Sequence, residues 1–178
     1  MSRLAVIAIG GNSLTRQGQR GTIPEQFENS RATSTVIADM IARGYEAVIT
    51  HGNGPQVGNI LLRAEMASKV LPMLPLDTCG ADSQGGIGYM LQQVLGTELR
   101  GRGMDKDVVT VLTQVVVDPD DPAFDAPSKP IGPFYGEEEI RAKREELGWS
   151  VVEDASRGWR RVVASPMPVR IVEIGPIR

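Results

Sequence analysis

The sequence predicts an α/β fold with a largely parallel sheet. Two short apolar runs, Leu4–Ile9 and Tyr45–Thr50, each end abruptly in a turn rich in Gly and Asn. A third run, "DVVTVLTQVVVD" from Asp107 to Asp118, is rich in Val and Thr, which favour strands. Segments with helical spacing of apolar residues separate these runs. Strands that alternate with helices are typical of parallel sheets.

Three helices are predicted between the strands. The first covers residues 25–43, where Phe27, Ile37 and Ile41 recur at helical spacing and Gly44 supplies a stop signal. The second covers about 56–69, with apolar residues on one face. The third carries the apolar series Ile87, Met90, Leu91, Val94 and Leu95. A last, charged helix is predicted in "GEEEIRAKREELG".

The composition changes at Asp118. The next stretch, "PDDPAFDAPSKPIGPF", holds five prolines and can form neither a helix nor a central strand. Three short strands are predicted in "WSVVED", "RRVVAS" and "VRIVEI". We therefore predict a main lobe of residues 1–118 and 156–178, and a protruding, flap-like subdomain of residues 119–155.

Composition excludes several classes of protein. The chain has 178 residues, of which 41% are hydrophobic and 23% charged, as in globular proteins rather than disordered ones. The net charge is −3 and no basic run is present, so nucleic acid is not an expected partner. No apolar stretch reaches membrane-spanning length. The N-terminus reads as a strand rather than a signal peptide, and the single Cys79 fits a reducing compartment, so we expect a cytoplasmic protein.

The two Gly- and Asn-rich turns are the main candidate for a ligand site. Loops that follow parallel strands meet at one edge of the sheet, where α/β proteins bind ligands. Glycines leave backbone N–H groups open to an anion, and Asn side chains add amide donors. Gly10, Gly11 and Asn12 form one loop, and Gly52, Asn53 and Gly54 form the other. Each alone is more typical of a tight turn, and neither has the spacing of a P-loop or a dinucleotide fingerprint.

Charged residues elsewhere leave alternatives open. His51, the single histidine, is a candidate general base or a structural loop residue. A cation site could involve Asp120, Asp121 and Asp125. Their Pro-rich setting favours solvated acidic residues of a loop instead. With one His and one Cys, the sequence indicates no transition-metal site.

Two groups of basic residues have a more distinctive setting. Lys129 lies in the proline-stiffened "APSKPIGPFY", which could present its ammonium group to a fixed point. Arg157, Arg160 and Arg161 surround Trp159 and fit either a carboxylate or phosphate site or surface ion pairs.

Taken together, these stretches resemble carbamate kinases of the amino-acid kinase family. The matching pieces are "IAIGGNSL", "ITHGNGPQVGN", "MLPLDTCGADSQGGIGYML", "LTQVVVDPDDPAF", "PSKPIGPFY" and "EDASRGWRRVVASPMP". Their order is the family's order, and they span nearly the whole chain. The combination of "HGNGPQVGN", "SQGGIGYML" and "KPIGPFY" is specific for carbamate kinases over acetylglutamate, aspartate or uridylate kinases.

The resemblance implies a fold and an activity. It implies a three-layer α/β/α sandwich and a cytoplasmic homodimeric phosphotransferase that moves a phosphoryl group reversibly between ATP and carbamate, with carbamoyl phosphate and ADP as the other pair. Gly10, Gly11 and Asn12 would hold the transferring phosphoryl group, and Gly52, Asn53 and Gly54 would face it. Lys129 would close over the site, and Arg160 and Arg161 would contact substrate or hold the subdomain. Carbamate is already an anion, so no general base is required.

The resemblance covers only the N-terminal half of a carbamate kinase. In that family the second half carries the site for ATP or ADP with Mg²⁺, and the lobe that contains it is absent from this sequence. A separate chain could supply that half. The alternative expectation is a non-catalytic anion-binding or assembly subunit derived from a carbamate kinase. In either case strand edges and apolar surface are expected to be exposed.

Overall fold

The computed structural model describes residues 3–16, 18–154 and 157–177, and the side chains of Gly11 and Asn12 lie outside the description. The elements, in chain order, are β1 (Arg3–Ile9), α1 (Gly11–Leu14), α2 (Ile23–Ala42), β2 (Tyr45–His51), α3 (Gly54–Ala67), α4 (Leu76–Gly101), β3 (Val115–Val117), a 3₁₀ turn (Pro122–Phe124), β4 (Lys129–Tyr135), α5 (Glu137–Leu147), β5 (Val151–Asp154), β6 (Gly158–Val163), β7 (Pro168–Ile171) and α6 (Ile174–Ile177).

The chain divides into two compact units. The first comprises residues 1–53 and 84–110, and the second comprises residues 54–83 and 111–178. The predicted lobe and flap boundaries stay a prediction, and the one between residues 155 and 156 falls outside the described residues.

In the first unit, β1 and β2 pair in parallel, from Arg3 opposite Tyr45 to Ile9 opposite His51. The predicted strands and the parallel pairing are therefore present. One face of this pair packs on α2 and on the part of α4 that follows residue 83, in a core of Ile9, Leu14, Ile37, Ala38, Ile87, Met90, Leu91, Leu95 and Leu99. Side chains of a strand alternate between faces, and those of the opposite face stay open. Leu4 and Val6 on that face are 67% and 69% exposed.

Polar residues cap the N-terminus of helix α2. Thr22 is the N-cap, and the carboxylate of Glu25 accepts from the Thr22 backbone N–H at 2.8 Å. This hydrogen bond lowers the pKa of Glu25 because it favours the ionised carboxylate. It also gives an otherwise unpaired N–H at the helix start its partner.

The second unit contains two antiparallel sheets. Strand β3 pairs with β7, and the order of the other sheet is β4-β6-β5. Strands β4 and β6 are joined irregularly, since their register shifts between Ile131 and Tyr135. Ile131 reaches a buried cluster with Val57 and Leu61 of α3 and with Cys79 of α4. At the other end of the sheet, Tyr135 of β4 forms a second buried cluster with Trp149 and with Ile140 of α5.

The predicted strand from Asp107 to Asp118 forms only in part. Its last portion, Val115–Val117, is β3, and within the described residues 108–114 pair with no strand. Polar groups of the stretch instead bond to α4, where Gln92 donates to the Val108 carbonyl oxygen and accepts from the Thr110 hydroxyl, both at 2.9 Å. A β-branched run favours extended backbone, but a strand also requires a neighbour with which to form a ladder. Parallel pairing is thus confined to β1–β2 among the described sheets, so the prediction of a largely parallel sheet is wrong for the second unit.

Candidate anion-binding site

The two glycine loops leave the same end of the β1–β2 pair. Because Ile9 lies opposite His51 in a parallel register, the chain leaves both strands at one edge. The Gly52 N–H donates to the carbonyl oxygen of Ile9 at 3.0 Å, which extends the ladder by one bond into the second loop. The first loop is shorter than predicted, because Gly11–Leu14 forms α1, in which the Ser13 N–H donates to the Gly10 carbonyl oxygen at 2.9 Å. In the second loop, Gly54 is already the first residue of α3. The sequence prediction that the loops are neighbours is confirmed.

The predicted donors in these loops differ in availability. Gly10 is exposed, and a Cβ built there meets no atom within 4 Å. The N–H of Gly52 is already engaged by Ile9. Asn53 is half-buried. The side chain of Asn12 lies outside the described structure, and the roles of Gly11 and Asn12 stay predictions.

His51 has a local contact rather than a catalytic partner. Its Nδ1 lies 3.3 Å from the carbonyl oxygen of the neighbouring Gly52. This contact is consistent with the structural role that the sequence left open for His51.

Lys129 is the first residue of β4, in the second unit. It pairs with Val163 of β6, and its side chain is exposed. Among the described residues, no carboxylate lies within ion-pair distance of its ammonium group. Lys106 and Lys143, by contrast, pair with Glu46 at 2.9 Å and Glu139 at 4.0 Å. Lys129 is therefore a positive charge held by a strand and available to an anion.

The Arg160 side chain is turned onto its own sheet. Its Nη2 donates to the Gly132 carbonyl oxygen at 2.9 Å, and its guanidinium lies 5.1 Å from the centre of the Phe134 ring. Burial lowers the pKa of Arg160, and the charge of nearby Arg157 lowers it further. These contacts hold β6 to β4.

Arg161 is engaged by α3. Its Nη1 pairs with Glu65, and the exposed fractions of the two side chains are 23% and 13%. The guanidinium also lies over the ring of Trp149, 4.6 Å from its centre. Substrate binding by Arg160 and Arg161 stays a prediction, while the contacts observed for both lie within the second unit.

Sequence reasoning missed Glu65, the partner of Arg161, and Gly58 of α3, which lies against Gly132 of β4. Glu65 sits in an ordinary helical pattern, so no local signal marks it as the partner of Arg161. Gly58 does carry a signal, because an isolated Gly within a helix destabilises it and usually has a packing reason.

The acidic loop after β3 is structural. The two carboxylate oxygens of Asp121 accept from the backbone N–H groups of Ala123 and Met167, each at 2.8 Å. Within the described part of the chain, no three His, Cys, Asp or Glu side chains gather in a way that could hold a metal ion. Asp121 thus ties its loop to the segment before β7, a role that the sequence did not indicate.

Comparisons with known proteins decide the family. No family model matches the sequence. The carbamate kinase of Pyrococcus horikoshii is 56% identical over 180 aligned residues, which cover 100% of this chain and 57% of that protein. The carbamate kinase from Giardia lamblia bound to citric acid superposes with a TM-score of 0.91 at 42% identity, over 99% of this chain and 57% of that one. The chain belongs to the carbamate kinase family.

The same Giardia carbamate kinase has also been solved bound to AMP-PNP, and that structure matches with a TM-score of 0.85. The chain spans a little over half the length of the carbamate kinases that it matches. The carbamate kinase fold and the mixture of helices and strands are thereby confirmed, while the three-layer sandwich stays a prediction. No helix among the described residues has both the length and the apolar character needed to cross a bilayer.

Proposed function

We propose that this chain is the carbamate- and carbamoyl-phosphate-binding half of a carbamate kinase-type phosphotransferase. The observation that carries the proposal is the parallel register of β1 and β2, which brings the loops after Ile9 and His51 to one edge. Two backbone loops at one edge can present N–H groups to a phosphate from two sides. The match to carbamate kinases over the whole chain supports this assignment.

The reaction demands charge stabilisation more than proton transfer. When carbamoyl phosphate reacts with ADP, the bond between phosphorus and the carbamate oxygen breaks, and a β-phosphate oxygen of ADP forms the new bond to phosphorus. Carbamate leaves as an anion and requires no proton. The chain needs donors and a positive charge for the transferring phosphoryl group, which the glycine loops and Lys129 would supply.

The proposed roles of individual residues are those that the resemblance to carbamate kinases implies. Gly10, Gly11 and Asn12 would hold the phosphoryl group, and Asn53 and Gly54 would face it. The N–H of Gly52 already donates to the carbonyl oxygen of Ile9. We therefore propose that Gly52 shapes the loop rather than donating to the phosphoryl group.

We expect the nucleotide to bind largely to the portion of the relatives that this chain does not match. A carbamate kinase has been solved with AMP-PNP, which supports ATP and ADP as the nucleotides. Mg²⁺ is commonly held by one or two carboxylates together with substrate phosphates, so we expect it to arrive with the nucleotide.

A second polypeptide segment would complete the fold. Parallel sheets are normally covered on both faces, yet Leu4 and Val6 on β1 are exposed. The portion of the relatives that this chain does not match is a suitable cover. A homodimer, as expected for the family, is the other partner that we propose.

The test is formation of ATP from carbamoyl phosphate and ADP with Mg²⁺. The chain is assayed alone and together with the unmatched portion of the Pyrococcus horikoshii relative, and that portion alone serves as the blank. We expect turnover in the mixture and a loss of about 10²- to 10³-fold in Lys129→Ala. Lys69→Ala removes another exposed lysine from the same unit and should retain full turnover.

The alternative is a non-catalytic anion-binding or assembly subunit. It requires only the neighbouring loops at one edge of the β1–β2 pair and the exposed Lys129, which can bind an anion without turnover. Absence of turnover in both arms, combined with binding of carbamoyl phosphate, would select this alternative over the kinase.

A further inference from the structure

Two of the family motifs contain residues that phosphate binding does not explain. They are the second half of "HGNGPQVGN" and the centre of "KPIGPFY". In the second unit they meet, since Gly58 of α3 contacts Gly132 of β4. A Cβ added to Gly58 would come well inside 3.0 Å of both the backbone nitrogen and the Cα of Gly132. Only a glycine allows the helix and the strand to approach this closely.

Gly58 would otherwise be a poor residue for its position. It is buried in the interior of α3, where Gly is less favourable than Ala by about 1 kcal/mol. The close approach to β4 is what offsets this disadvantage.

Gly132 is required for a different reason. Its φ is +70°, in the left-handed region that favours glycine, and a Cβ there would meet nothing within 4 Å. It lies where the register between β4 and β6 shifts, and its carbonyl oxygen accepts from Arg160. The left-handed backbone conformation at Gly132 thus sets the course of β4, and the hydrogen bond from Arg160 of β6 holds this position.

Further contacts extend this one along the helix. Glu65 follows Gly58 by two helical turns, so both lie on one face of α3. Glu65 binds Arg161 of β6, and Ile131 packs on Val57 and Leu61. We call this set of contacts the α3–β4 contact. It comprises Gly58 on Gly132 and Ile131 with Val57 and Leu61, and it is reinforced by Glu65 with Arg161 of β6, the strand paired with β4.

We propose that Gly58 is a positioning residue for Lys129, acting through the α3–β4 contact. This inference rests on the proposed function of Lys129. Lys129 lies on the same strand as Gly132, about 10 Å along it at roughly 3.3 Å per residue. A methyl group at Gly58 would push β4 away from α3 and carry Lys129 with it. Displacement of a phosphoryl-binding group by about 1 Å can lower the rate by about 10²-fold.

The test compares Gly58→Ala with Gly80→Ala. Gly80 also lies inside a helix, in the part of α4 that belongs to the second unit, but a Cβ there meets nothing within 4 Å, so it is a matched control. Amide hydrogen exchange is measured for a peptide that covers β4. Amine labelling of Lys129 is measured by mass spectrometry with and without phosphonoacetamide, a carbamoyl phosphate analogue whose CH₂ replaces the bridging oxygen.

We expect β4 to exchange at least about tenfold faster in Gly58→Ala while Gly80→Ala matches the wild type. Protection of Lys129 by phosphonoacetamide should require at least about tenfold more analogue in Gly58→Ala. Ala is the better helix former, so a more stable Gly58→Ala with unchanged β4 exchange and unchanged Lys129 protection would overturn the proposal.

Two further results separate the possible failures. If Gly58→Ala does not fold, Glu65→Gln takes its place, because it loosens the α3–β4 contact without adding volume. Unchanged β4 exchange in Glu65→Gln would then overturn the proposal. If phosphonoacetamide fails to protect Lys129 in the wild type, the proposed function fails, and a rise in β4 exchange would still support the contact.

Discussion

The N–H of Gly52 donates to the carbonyl oxygen of Ile9 at 3.0 Å, one bond beyond the last strand pair. This bond fixes the second glycine loop to the end of β1, from which the first loop departs. The backbone that leaves Ile9 is therefore held next to the backbone that leaves His51. A ligand that contacts both loops would meet a preformed surface.

The first prediction concerns Gly10, where a substitution should change ligand binding without lowering the free energy of unfolding. Ala fits there without contact within 4 Å, and Gly10 is not among the residues with positive φ. Gly10→Ala should keep the free energy of unfolding or raise it by up to about 1 kcal/mol. It should weaken binding of phosphonoacetamide by at least about tenfold, because a methyl group blocks close approach to the backbone. Urea unfolding and calorimetry measure the two effects, and unchanged binding would remove Gly10 from the site.

The second prediction concerns the ion pair between Glu65 and Arg161. Both side chains are largely buried, so removal of one leaves the other charge without its partner. Glu65→Gln and Arg161→Met should each lower the free energy of unfolding by about 3 kcal/mol, and the double variant should lose less than the sum.

Arg31 and Glu28 provide the comparison for this cycle. They form an exposed pair, with side chains 61% and 77% accessible, whose coupling should stay below about 1 kcal/mol. Equal coupling energies for the two pairs, from urea unfolding of both cycles, would contradict the importance assigned to Arg161.

The third prediction concerns Asp121 and acid. Hydrogen bonds from the backbone N–H groups of Ala123 and Met167 hold the pKa of Asp121 below its usual value. A depressed folded-state pKa contributes stability above the unfolded-state pKa of about 3.9, and this is lost as pH falls through the folded value. Asp121→Asn should therefore flatten the fall of the melting temperature on acidification below about pH 4. Asp120→Asn is the matched control substitution. Identical acid profiles for Asp121→Asn and the wild type would contradict a stabilising role for the hydrogen bonds from Ala123 and Met167 to Asp121.

The fourth prediction concerns the reactivity of Cys79. Its side chain is fully buried, and burial raises the pKa of the thiol, with the negative charge of Asp82 adding to the effect. Since the thiolate is the nucleophile, a disulfide reagent at neutral pH should label the native protein on the order of 10³-fold more slowly than the chain in denaturing urea. Labelling at the rate of the unfolded chain would show that the cluster around Val57, Leu61 and Ile131 is open.

The sequence predicted the local features of the fold well. The first two strands, their parallel pairing and the helices after them follow from short apolar runs, helical spacing and Gly stop signals. Each of these signals lies within the element that it predicts. The two glycine loops followed in turn from the ends of those strands.

Features that depend on distant partners were not predicted. The run from Asp107 to Asp118 has the composition of a strand, but composition does not reveal whether a neighbouring strand exists to pair with it. Likewise, the partner of Arg161 is a helical glutamate far away in sequence. Gly58 is visible as an odd residue in a helix, yet its reason, the close approach to Gly132, exists only in the folded chain.

The most direct measurement of the central claim is amine labelling of the wild-type chain in the presence of phosphonoacetamide. The chain has four lysines, Lys69, Lys106, Lys129 and Lys143, whose labelling rates can be read separately by mass spectrometry. A carbamoyl-phosphate-binding half that uses Lys129 predicts slower labelling of Lys129 alone as the analogue is added. Equal labelling of Lys129 with and without saturating phosphonoacetamide would contradict it.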